Sequence, residues 1–242
     1  MAKATTKKPA AKGSLRQELA LGALVAELLG GALLAFAALM TQNNPILGAL
    51  AVVVGVLVFV QISGAYLNPV VVVAALAMRQ ISWVKAVGFI VVQVLGAMLA
   101  YVIVSKFMTD GAVFTLFTNP NDPQVQAGYM QAREPGEWKP IWGEFVGAII
   151  FSFGIASAVL GKKVGFDRAF TIGGALLIAL IAALAGSSAV LNPAVATALS
   201  AFSQGQFWSF AAYAIAPLVG AAIGAWLFKL LKSDVDNAAN KA

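Results

Sequence analysis

Six long apolar stretches punctuated by polar residues run along the chain, near residues 17–40, 46–62, 82–107, 141–160, 169–187 and 207–231. Each is close to the ~20 residues that a helix needs to cross a bilayer, so the pattern predicts six membrane-spanning helices. Two further apolar stretches, 68–78 and 192–202, hold eleven residues each. At the helical rise they reach roughly 16 Å, about half the hydrocarbon thickness, and cannot span. Both open on the same pair, Asn68-Pro69 in "QISGAYLNPVVV" and Asn192-Pro193 in "SSAVLNPAVAT". Inside a helix, asparagine is costly in lipid and proline breaks the backbone ladder. At a helix start both are favourable: asparagine caps the first amides and proline suits the first helical position. The pairs are therefore read as the beginnings of two half-length helices.

The surroundings of the two pairs repeat. Ser63, Ala65, Leu67, Asn68, Pro69 and Val71 match Ser187, Ala189, Leu191, Asn192, Pro193 and Val195. Upstream, Glu27-x-x-Gly30 matches Glu144-x-x-Gly147, and downstream Gly96-Ala97 matches Gly220-Ala221. Each copy holds three spans and one half-span. An odd number of crossings turns the second copy upside down, the inverted arrangement in which broken helices meet near the midplane. Non-helical backbone at that depth is tolerated where it is buried or lines a wet cavity, the role expected of residues 63–67 and 187–191. Their carbonyls would line a pore as acceptors, and the Asn68 and Asn192 amides would offer donors. Converging positive helix ends would repel cations, including a proton on a water file.

Composition sharpens this picture. The chain is 60% hydrophobic and 11% charged, far from the quarter charged of a soluble domain. It contains no cysteine and no histidine, and its ten acidic residues form no cluster at metal-ligand spacing. Thiol, histidine-shuttle and metal chemistry are thus absent from the expectation, as are an enzyme activity and any cofactor. Of the 16 basic residues, Lys3, Lys7, Lys8, Lys12, Arg16, Arg79, Lys85, Lys162, Lys163, Arg168, Lys229, Lys232 and Lys241 fall on one side of a six-span layout, leaving Lys106, Arg133 and Lys139 on the other. That bias predicts both termini in the cytoplasm of a plasma or inner membrane. It also accounts for the basic start of the chain without nucleic acid as a partner. The expected organisation is a disordered tail over 1–14, a first repeat over 15–107, an outward loop over 108–140, a second repeat over 141–231, and a tail over 232–242. Trp138, Trp142 and Trp208 are expected at the membrane interface.

As a set, "AELLGGALLAF", "ISGAYLNPV", Gln93-x-x-Gly96-Ala97, "GEFVGAIIF", "LNPAV" and Pro217-x-x-Gly220-Ala221 resemble the aquaporin, or major intrinsic protein, family over residues 15–231. The resemblance implies an all-α membrane fold of six spans and two re-entrant half-helices, assembled as a homotetramer in lipid. It also implies passive passage of water or small uncharged solutes. It assigns the pore boxes to Asn68, Pro69, Val70 and to Asn192, Pro193, Ala194. Glu27 and Glu144 resemble buried glutamates that brace the re-entrant loops, the alternative being a proton relay. Gly96 and Gly220 read as close helix packing.

The departures from the family pattern carry more information. The first box reads Asn-Pro-Val, and Tyr66 stands where the family usually has histidine. The family's arginine after the second box is replaced by Val195. Counting from the boxes places the rest of that outer filter at Gly48, Leu180 and Ala189, with Val52 as the alternative to Gly48. The filter is therefore expected to be apolar and wide unless another side chain fills it. Positions that distinguish glycerol from water channels are mixed: Ala196 replaces the glycerol-type acid, Tyr213 is water-type, and Ala214 is not. A channel tuned to ammonia, gas or larger polyols, a non-conducting structural protein on the same fold, and a coupled transporter stand as alternatives to a water and solute channel.

Overall fold

The computed structural model describes residues 19–107, 138–202 and 207–240. The N-terminal tail, most of loop 108–140 and residues 203–206 lie outside them. The elements are α1 (Leu21–Met40), α2 (Pro45–Phe59), α3 (Pro69–Ala77), α4 (Trp83–Phe107), α5 (Lys139–Leu160), α6 (Gly165–Ala183), α7 (Pro193–Ala198) and α8 (Phe207–Ala239). Among the described residues there is no strand. Five helices among the described residues, α1, α4, α5, α6 and α8, are long and apolar enough to cross a membrane. The stretch 46–62 forms a shorter helix than its apolar length suggests. Its last residues leave the helix in a turn, with Ser63 N–H bonded to Phe59 O at 3.1 Å. They do so because the chain must reverse into the loop that precedes α3.

The two repeats pack alike. α1 lies along α4 in the first, α5 along α8 in the second, and α2 meets α6 between them. Small residues allow the close approach. A Cβ on Gly96 would collide with the Leu28 carbonyl of α1, and a Cβ on Gly220 with the Phe145 carbonyl of α5. These are equivalent positions, so the same glycine closes the same helix pair twice. Gly96→Ala is expected to force α1 and α4 apart and to destabilise the protein by about 1–3 kcal/mol. Gly22→Ala, where an added Cβ meets nothing within 4 Å, is the neutral control. Thermal unfolding in detergent compares them, and equal midpoints would refute the packing role.

α3 and α7 both stop in the same way. Beyond α3, Arg79 takes φ +61° and Gln80 N–H reaches back to Ala75 O at 2.9 Å; beyond α7, Ser200 takes φ +60° and Ala201 N–H reaches Ala196 O at 2.9 Å. Each is a left-handed C-terminal turn that satisfies the last carbonyls. Consequently α7 has six residues, short of the 192–202 stretch. The final helix is longer than its apolar span. It continues from 231 to Ala239, carrying a Lys232–Asp236 pair at 3.4 Å one turn apart. Pro217 has no N–H for the Tyr213 carbonyl, and just ahead of it the helix loosens into a π-turn at Ala211–Ile215.

Large apolar side chains such as Val54, Val91, Ile178 and Trp226 stand at least half exposed on the outer surface. That surface is lipid-facing in an integral membrane protein, where exposed apolar groups carry no penalty. Trp138 and Trp208 pack edge to face at 5.0 Å between centroids, and Trp142 remains mostly exposed nearby in sequence.

Candidate pore site

The segments leading into α3 and α7 have matching backbones. Ala65 and Leu67 take φ of +53° and +56°, and Ala189 and Leu191 take +51° and +47°. Left-handed residues without glycine are unfavourable by roughly 1–2 kcal/mol each, so their recurrence at equivalent positions needs a strong support. Two buried carboxylates provide it. Glu27 Oε1 accepts from Ser63 Oγ at 2.5 Å and Tyr66 N at 3.0 Å; its Oε2 accepts from Leu67 N and Gln93 Nε2, both at 2.6 Å. Glu144 Oε1 accepts from Ser187 Oγ at 2.8 Å and Val190 N at 2.9 Å, and its Oε2 from Leu191 N at 2.7 Å. Both glutamates are fully enclosed. The second has no counterpart of Gln93, because the equivalent position in α8 is Pro217. With every carboxylate oxygen engaged by donors that hold loop backbone, the arrangement is that of a brace.

The asparagines start the half-helices. Asn68 Oδ1 accepts from Val70 N at 2.8 Å, and Asn192 Oδ1 accepts from Ala194 N at 3.1 Å and Val195 N at 3.2 Å. Capping turns each amide oxygen to its own helix and each Nδ2 outward. Asn68 Nδ2 uses one hydrogen across the pseudo-twofold, donating to Leu191 O at 3.0 Å. Asn192 Nδ2 has no partner among the described residues. Pro69, Val70, Pro193 and Ala194 are buried and hold the helix starts in place.

A cavity of about 40 Å³ opens from the two asparagines. That is room for about three waters at the ~10–15 Å³ each requires. Its wall includes Asn68, Asn192, Gly48, Val52, Leu180 and Val195. Three of the four predicted filter positions thus come together, and Gly48 and Val52 both take part. Ala189 is not on the wall, which carries Val190 instead.

The carbonyl of Ala189 is engaged by a residue that sequence reasoning missed. Asn43, in the turn between α1 and α2, donates from Nδ2 to Ser188 O at 2.9 Å and to Ala189 O at 3.2 Å. It lines the same cavity, as does Asn44. Asn44 caps α2 through Ile46 N and Leu47 N, which leaves Asn43 free to face inward at φ +53°. The doubled asparagine was the available signal, since only one of the pair is needed as a cap. Tyr213, on the π-turn of α8, is not on that wall and donates its hydroxyl to Ser188 Oγ at 3.2 Å. The wall is otherwise aliphatic, so the cavity can hold water or a small neutral solute but offers no group for covalent or acid–base chemistry.

Comparison with known proteins agrees with this architecture. The family model described as Major intrinsic protein matches residues 14–228. The chain is 29% identical over 188 residues to glycerol uptake facilitator protein-like 6 of Lactiplantibacillus plantarum, covering 76% of this chain and 82% of that protein. It is 33% identical over 190 residues to the probable aquaporin TIP1-2 of Oryza sativa subsp. japonica, covering 76% and 68% respectively. The solved aquaglyceroporin of Plasmodium falciparum shares the fold at a TM-score of 0.58 and 21% identity, over 86% of this chain and 93% of that one. With paired half-helices, braced loops and a match across nearly its whole length, this chain belongs to the major intrinsic protein family.

Proposed function

We propose that the chain is a passive channel for water and small uncharged solutes such as glycerol, with an apolar outer constriction in place of an arginine-bearing one. The observation that carries this reading is the cavity running from Asn68 and Asn192 to Gly48, Leu180 and Val195, with no charged side chain on its wall. Asparagine amides and loop carbonyls replace part of a solute's hydration, while the aliphatic wall leaves size and wetting as the main filter. Asn43 adds a polar edge. Its donors are spent on carbonyls, so its Oδ1 is left as an acceptor for a solute that donates. Relatives named for glycerol and for water both fall among the matches, in keeping with a constriction that does not exclude a small polyol. The working form is a homotetramer in the membrane with both termini cytoplasmic, and the reading includes no enzyme activity and no cofactor.

The test is stopped-flow light scattering on proteoliposomes challenged with sucrose and with glycerol. Water permeability is expected well above that of empty liposomes, and it should be unaffected by mercurials because the chain has no cysteine to react. Folded protein that conducts no better than bare lipid would favour a structural role on the same fold.

A further inference from the structure

Arg168, in the first turn of α6, donates from Nη2 to the Gly64 carbonyl at 3.1 Å. Gly64, at φ +95°, opens the run that leads through Ala65 and Leu67 to Asn68. The Nε of Arg168 is enclosed and has no hydrogen-bond partner among the described residues. Among the described residues Arg168 makes no salt bridge. Asp167 turns away to Lys163 at 3.1 Å, and Glu27 is already engaged by four donors. A second cation stands close by: Lys85 lies 5.1 Å from the Phe89 ring, which packs on Tyr66 at 5.5 Å. Two cations thus stand beside the loop that follows α2, whereas the cavity wall near the start of α2, at Gly48, Leu180 and Val195, carries no charge.

We propose that Arg168 is a specificity-determining residue that supplies, at the mouth beside Gly64, the fixed positive charge that turns cations and protons back. The proposal rests on the channel reading above. Arginine keeps its charge at any working pH, and a cation fixed at a low-dielectric opening repels like charge while neutral solutes pass. The hydrogen bond to Gly64 holds that charge at the loop instead of letting it swing into solvent. Arg168 adds its charge to the repulsion expected from the converging half-helix ends.

Charge and tethering separate experimentally. Wild type, Arg168→Gln and Arg168→Lys are reconstituted in liposomes. Water flux is read by light scattering, and proton and sodium flux under a valinomycin potential by entrapped dyes. Wild type is expected to conduct water while passing no more protons or sodium than empty liposomes. Arg168→Gln should keep its water permeability within about two-fold and raise cation leak about ten-fold, the scale of one unit charge at roughly 10 Å and an effective dielectric of about 20. Arg168→Lys, which retains the charge, should remain tight. An unchanged leak in Arg168→Gln overturns the proposal, as does a loss of water flux in both variants without leak, which marks a purely structural tie. A wild type that conducts water but also passes cations overturns it as well. A wild type that conducts no water at all overturns the channel reading and this proposal together.

Discussion

Glu144→Ala is expected to leave little or no folded protein. The carboxylate accepts hydrogen bonds from Ser187 Oγ, Val190 N and Leu191 N, all in a fully enclosed site. Alanine would strand the two buried backbone donors Val190 N and Leu191 N, at about 1–3 kcal/mol each, and leave a cavity besides, while Ser187 Oγ keeps the Ala183 carbonyl at 3.1 Å. The sum is comparable to the whole stability of an ordinary domain, roughly 5–15 kcal/mol. The loop that suffers is also the one held with left-handed Ala189 and Leu191, so it has no relaxed alternative nearby. Glu27→Ala should be at least as damaging, since Gln93 Nε2 is a fourth donor there. Glu144→Gln keeps one acceptor oxygen but turns an amide toward donors, and an intermediate loss is expected. Yield of monodisperse protein and unfolding midpoint in detergent measure the series. An alanine variant as stable as wild type would remove the brace. The same variants decide against a proton relay: a relay glutamate would give a stable Gln variant that loses proton-coupled flux, and wild type is expected to show no such flux.

Val195→Arg is expected to lower glycerol permeability roughly ten-fold, a change of about 1.4 kcal/mol in barrier, with a smaller loss for water. Val195 follows Ala194 in the first turn of α7, and its side chain reaches the cavity shared with Gly48 and Leu180. A Cβ built on Gly48 meets nothing within 4 Å, so there is open space across from it for a longer side chain. A guanidinium there narrows the opening and supplies donors to a passing oxygen. Steric narrowing weighs most on the larger solute. Water and glycerol fluxes measured in parallel give the ratio. If it does not change, Val195 does not form the constriction, and the apolar-filter reading fails even if the protein is a channel.

Much of the fold was legible because its determinants are local. Spacing of apolar residues marked the long helices, and Asn-Pro marked two helix starts, since capping and proline preference act within one turn. The repeated Glu-x-x-Gly and Ser-x-Ala-x-Leu-Asn-Pro patterns carried the relation between the halves. Helix ends were less legible. α7 stops at Ala198 because Ser200 adopts a left-handed turn that no glycine announces, and α8 runs on to Ala239 past the apolar stretch because intrahelical pairs sustain it in water.

The cavity wall was decided in three dimensions. Asn68 bonds Leu191 across 123 residues, Asn43 bonds Ser188 across 145, and Arg168 bonds Gly64 across 104. None of these pairs shares a local pattern, because each depends on how the inverted repeats dock. Counting along the second loop put Ala189 at the filter. The backbone instead gives Ala189 a positive φ, ties its carbonyl to Asn43, and leaves Val190 on the wall. A loop of alternating left-handed residues does not follow the regular periodicity by which sequence assigns a face. The sequence by itself therefore determined the helices, the repeat and the chemical poverty of the interior. Only the tertiary structure determined which side chains meet around the path, since that depends on contacts whose cost and gain arise after the two halves have come together.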